Sequence, residues 1–66
     1  MSTLAEEYPK EQGRIRELLS RYREIGPAGI FGAAVIEQTL READEAAMSE
    51  DLVRMLRAFE SMKECK

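Results

Sequence analysis

Seven of the ten basic residues in this 66-residue chain are arginines, and they are the side chains whose chemistry is easiest to put to use. A planar guanidinium fork matches carboxylate or phosphate oxygens better than a lysine ammonium does. Arg14, Arg16, Arg21 and Arg23 crowd into one helix-length of sequence, and the string Ile25-Gly26-Pro27-Ala28-Gly29-Ile30-Phe31-Gly32-Ala33 follows them directly. A glycine-containing turn that runs into a helix N-terminus presents unpaired N–H groups and the positive end of the helix dipole to an anion. Arg14, Arg21, Arg23, Gly26 and Gly29 are therefore the candidate set for binding a small anion or an acidic partner. The competing reading is structural. The string lacks the Lys-Ser/Thr ending of a P-loop, and no strand pattern precedes it. Gly26 would then cap one helix, while Gly29 and Gly32 would let backbones meet closely. The arginines would be solvated and laced by pairs such as Glu17 with Arg21 and Glu50 with Arg54.

Catalytic chemistry is harder to assemble. Hydroxyls are present at Thr3, Ser20, Thr39, Ser49 and Ser61, but the chain has no histidine to activate one. A single cysteine, Cys65, excludes an intrachain disulfide and, with histidine missing, the usual zinc ligand sets. Cys65 is read as an incidental thiol in a fraying last turn. No catalytic residue, metal site or cofactor is expected, and the chain is read as not an enzyme.

Charge narrows the partners. The formal charge of −3 and the acidic isoelectric point argue against a polymeric nucleic acid, whose binding rests on a basic surface. The longest uncharged stretch, residues 25 to 36, is twelve residues and contains Gly and Pro, too short to span a bilayer. The acidic start Met1-Ser2-Thr3-Leu4-Ala5-Glu6-Glu7 is unlike a signal peptide, and with the unpaired cysteine it predicts a cytoplasmic protein.

The elements that must position these groups are helical, because the composition favours Ala, Leu, Glu, Arg and Met over β-branched and aromatic residues. Thr3 and Glu6 have capping-box spacing, but Pro9 interrupts a helix begun there, so residues 1–8 are read as a flexible arm and 9–66 as one helical domain. Pro9 suits a helix start; Ile15, Leu18, Leu19, Tyr22 and Ile25 then form one apolar stripe that Gly26-Pro27 ends. A second helix over about 29–47 has Ile36, Leu40, Ala43 and Ala47 on its inner seam and Glu37 placed to pair with Arg41. Ser49 reads as the N-cap of a third helix over about 50–64, with Leu52, Met55, Leu56, Phe59 and Met62 inward, Val53 beside them, and Lys63 and Lys66 at its end. Met48, Met55 and Met62 recur every seven residues and are read as core. The expected fold is all-α, a short bundle of three helices with short turns.

Such a domain is short of core. Leu, Ile, Val and Phe together number 14 of 66 residues, and with disulfides and zinc excluded some other cover is needed. The start of the second helix is apolar on every side, so Ile30, Phe31, Gly32, Ala33, Val35 and Ile36 are the expected interface of a homo-oligomer that completes the bundle.

The strings Ile-Gly-Pro-Ala-Gly-Ile-Phe-Gly-Ala followed by Val-Ile-Glu-Gln, and Leu-Val-Arg-Met-Leu-Arg-Ala-Phe-Glu-Ser-Met-Lys further on, resemble small helical proteins of phages and prophages, over residues 12 to 65. That group carries no assigned chemistry. The resemblance implies an accessory protein that binds a host or phage protein in the host cytoplasm and modulates it or counters host defence. The alternative is an oligomer that sequesters a small anionic ligand such as a cyclic nucleotide.

Overall fold

The computed structural model describes residues 3–65, and the secondary structure among them is all helical. Helix α1 spans Leu4–Ile25, a single 3-10 turn covers Gly26–Gly29, α2 spans Ile30–Ser49 and α3 spans Leu52–Glu64. α1 and α2 form a long antiparallel hairpin bent at the 3-10 turn. α3 runs back antiparallel to α2 and lies over only one end of the pair, giving a body of 37 × 23 × 16 Å. The helices do not make the expected bundle of three along their full length: thirteen residues reach about 20 Å, whereas the twenty-two of α1 reach about 33 Å.

The start of α1 also corrects the expected arm. Residues 4–8 are helical, and only residues 1 and 2 of that arm lie outside the described residues. Thr3 caps the helix by accepting the Glu6 N–H on its hydroxyl at 3.3 Å, and its carbonyl takes the Glu7 N–H at 2.9 Å. Pro9 then sits inside the helix, where its missing N–H and ring cost about 3 kcal/mol. Tyr8 offsets that cost. It is 2% exposed, donates its hydroxyl to the Ala43 carbonyl at 2.7 Å, and stacks on Phe59 at 6.2 Å between ring centroids.

Gly26 ends α1 with φ 84°, a left-handed conformation that favours glycine, and its N–H bonds the Arg23 carbonyl. A Cβ on Gly29 would run into the Tyr22 backbone carbonyl, and one on Gly32 into the Tyr22 ring. The glycine string is thus what lets the start of α2 fold tightly onto the end of α1.

The core is thin. Ile15 and Leu19 of α1 meet Ile36, Ala43 and Ala46 of α2 and Ala58 and Met62 of α3, with Tyr8 closing one end. Three of these eight buried residues are alanines, so the helices pack through close approach more than through large side chains. The second turn departs from expectation by two residues. Ser49 belongs to α2, donating its hydroxyl to the Ala46 carbonyl at 2.7 Å; Glu50 takes φ 59°; and Asp51 is the N-cap of α3, accepting the Arg54 N–H at 3.2 Å. A left-handed residue is needed to reverse the chain, and Asp caps as well as Ser.

The inward face of α3 is rotated from the predicted stripe. Ala58 and Met62 are buried and Met55 and Phe59 partly so, whereas Leu52, Val53 and Leu56 face solvent. The methionine heptad splits in the same way: Met62 is core and Met48 is 85% exposed.

Candidate interaction surface

The candidate arginines are carried by different faces of α1. Arg14 points to the end of α3, where its guanidinium donates to the Met62 carbonyl at 2.6 Å and the Cys65 carbonyl at 2.8 Å while pairing with Glu11 at 3.1 Å. The Glu11 hydrogen bond strengthens Arg14's hold on its proton further, against the opposing effect of burial. Four of its five N–H groups are engaged within the chain, so Arg14 acts as the C-cap of α3 and is not free for a ligand. The candidate binding residue Arg14 is thus placed at the end of α3, with a structural role. Arg23 reaches across to Glu37 at 3.4 Å, on the side of α1 that faces α2. Arg21, two helical turns after Arg14 and on the same side, is exposed and makes no ion pair among the described residues. Gly26 and Gly29 serve the turn, and Gly29 is buried.

Two of the remaining arginines, Arg16 and Arg54, tie the acidic segment of α2 to α1 and α3. Arg16 pairs with Asp44 at 3.2 Å, Arg54 with Glu45 at 3.4 Å, and Arg41 with Glu37 at 3.6 Å as its spacing predicts. Gln12 adds a hydrogen bond to Asp44 at 2.7 Å. The expected pairs Glu17–Arg21 and Glu50–Arg54 are not formed among the described residues; Arg54 is taken by Glu45, which the antiparallel packing of α2 and α3 places opposite it. All these pairs are partly exposed, so each is worth about 1 kcal/mol or less.

Cys65 is more constrained than a fraying thiol. It is half-buried, its N–H bonds the Met62 carbonyl, and its Sγ lies 3.8 Å from the Thr39 hydroxyl. Lys63 lies over the Phe59 ring at 4.8 Å, and Lys66 falls outside the described residues.

What the surface offers in quantity is apolar area. Ile25, Ile30 and Val35 remain 60–63% exposed and Phe31 is 86% exposed, all where α1 runs into α2. The predicted interface divides accordingly. Ile30, Phe31 and Val35 face outward, Gly32 and Ala33 are partly covered, and Ile36 is 4% exposed. Of the two places the sequence gives Ile36, the inner seam of α2 and the interface, the structure puts it in the core, packed with Leu19 and Tyr22 of α1. A groove of about 290 Å³ opens beside these residues where α3 stops, lined by Tyr22, Gly32, Val35, Ile36, Glu64 and Cys65. Sequence periodicity missed Ile25, which lies on the predicted core stripe but beyond the reach of α3. It also missed Leu52, Val53 and Leu56, whose stripe is rotated outward.

No family model matches the chain, and neither a curated protein nor a solved structure matches it. No helix among the described residues is long and apolar enough to cross a membrane.

Proposed function

We propose that this chain is a non-enzymatic helical interaction module, a phage-type accessory protein that binds a host or phage protein and modulates it or counters host defence. The observation that carries the reading is the exposed apolar surface: eight large hydrophobic side chains between 46% and 86% exposed, on a chain whose core also holds eight residues. Four of them, Ile25, Ile30, Phe31 and Val35, gather where α1 meets α2, and Met48, Leu52, Val53 and Leu56 lie around the turn into α3; exposed apolar clusters of this kind mark association surfaces. The module self-associates through part of that surface, completing a helical bundle, and offers the rest to its partner by steric occupation. It works in the host cytoplasm.

A second reading has one observation in its favour. Arg21 is exposed and makes no ion pair among the described residues. An oligomer that brings several Arg21 side chains together would hold a small anion such as a cyclic nucleotide. Native mass spectrometry of gently purified protein separates the two. A ligand-free complex with a foreign protein supports the first reading; an extra mass of the order of a nucleotide per assembly, lost in Arg21→Ala, replaces it with the second.

A further inference from the structure

The end of the molecule where α1 meets α2 has two helical layers where the other end has three, because α3 stops short of it. There the inner sides of α1 and α2 lose their third wall. The groove left open is lined by Tyr22, Gly32, Val35, buried Ile36, Glu64 and Cys65. Beside it stands Phe31, the most exposed large hydrophobic side chain described, at 86%. One end of one chain therefore carries both a bulky apolar knob and an apolar recess.

We propose that a second copy of this chain docks here about a two-fold axis, each copy seating Phe31 in the other's groove between Tyr22 and Val35. The inference rests on the reading above that the chain works through its apolar surface, and it adds where and with what one part of that surface is filled. Two-fold contacts are reciprocal, so a single patch holding both knob and recess is self-complementary without a second site. The layers then close: two helices from each copy make a four-helix arrangement at the level where each copy alone has two.

The area agrees with this occupant. Ile25, Ile30, Phe31 and Val35, at their observed exposures, present on the order of 500 Å² of accessible surface per copy, so a pair that buries them fully covers at most about 1,000 Å² with these residues, the size at which specific interfaces begin. Half-buried Leu18 and Tyr22 border the same side of α1 and add to it. The patch carries no acidic or basic residue between Ile25 and Ile36, and the one charged side chain lining the groove, Glu64, is exposed.

Sedimentation of the full chain over a wide concentration range tests the proposal, with far-UV circular dichroism to check that each variant keeps its helices. The wild type is expected to dimerise, Phe31→Ala to weaken the dimer at least tenfold, and Val35→Glu to leave only monomer. Both positions are exposed within one copy, so their folds should persist. Met48→Glu, equally exposed but far from the groove, is expected to leave the dimer intact. A wild type that stays monomeric at the highest concentration overturns the proposal, as does an assembly that survives both Phe31→Ala and Val35→Glu or one that Met48→Glu dissolves. A monomer whose Phe31 face is instead occupied by a foreign protein also overturns it while leaving the interaction-module reading standing. A dimer that behaves as described but carries nucleotide mass upholds it while that reading fails.

Discussion

Tyr8 and Arg14 show how much of this fold rests on two polar side chains of α1. Tyr8 reaches past its own helix to the Ala43 carbonyl, so Tyr8→Phe keeps the ring stack on Phe59 and removes one buried hydrogen bond. A loss of about 1 kcal/mol in urea-melt stability at neutral pH is expected. Burial, and next the negative charge of Asp44, raise the Tyr8 pKa above 10.0, with Arg54 opposing them. The folded state therefore holds the phenol proton at a pH where the unfolded chain has released it. The stability this contributes is fully present below pH 10.0 and is lost as pH rises through the folded value. Stability of the wild type measured across the alkaline range should fall for this reason, and Tyr8→Phe should lose that part of the fall. At Arg14, truncation to Ala leaves the last carbonyls of α3 without their cationic partner. Thermal melts should show a loss of about 1–2 kcal/mol, with Lys a poor substitute because it cannot fork to two carbonyls at once.

At the scale of elements, the turns and the small residues decide the geometry. Pro9 lies exposed inside α1, and Pro9→Ala restores an N–H to the Ala5 carbonyl. This substitution should raise stability by about 1–2 kcal/mol, less than the full helix penalty because proline also stiffens the unfolded chain. Gly32 lies against the Tyr22 ring, a flexible neighbour, whereas Gly29 lies against Tyr22 backbone, which cannot turn aside. Gly29→Ala is therefore expected to cost at least 1–3 kcal/mol in denaturant melts, and Gly32→Leu to displace the Tyr22 ring and lower both stability and assembly. A Gly32→Leu protein with unchanged melting and unchanged oligomeric state would show that close packing at the start of α2 is not needed.

For the whole molecule, the balance between core and exposed apolar surface governs behaviour. A core of eight residues, three of them alanine, leaves a chain this small with little stability in reserve. If association supplies the missing cover, the melting temperature must depend on protein concentration, since a partner that binds only the folded chain stabilises it by mass action. Scanning calorimetry over a hundredfold concentration range should show the midpoint rising for the wild type and standing still for Val35→Glu. The ion pairs that tie Arg16, Arg23 and Arg54 to the acids of α2 are exposed, so molar salt should shift the wild-type midpoint far less than loss of assembly does.

Composition, the Gly26-Pro27 break and the recurrence of Ile15, Leu19, Ile36, Ala43 and Met62 by themselves determined that the chain is helical, where its first turn falls and five of its eight buried residues, but not Tyr8, Ala46 or Ala58. Those are local properties: propensity, capping and the 3.6-residue period act within a few residues of one another. Where α1 begins was decided largely by distant contacts, because the Tyr8 bond to Ala43, its stack on Phe59 and the packing of Leu4 on the core help to offset an internal proline. The rotation of α3 and the fate of Arg14 were likewise tertiary, since both depend on which part of α1 the short third helix lies against. The exposed end follows from the same fact. Ile25 and Ile36 look alike as periodic apolar residues, yet one is 60% exposed and the other 4%, because a helix of thirteen residues cannot cover the full length of one of twenty-two.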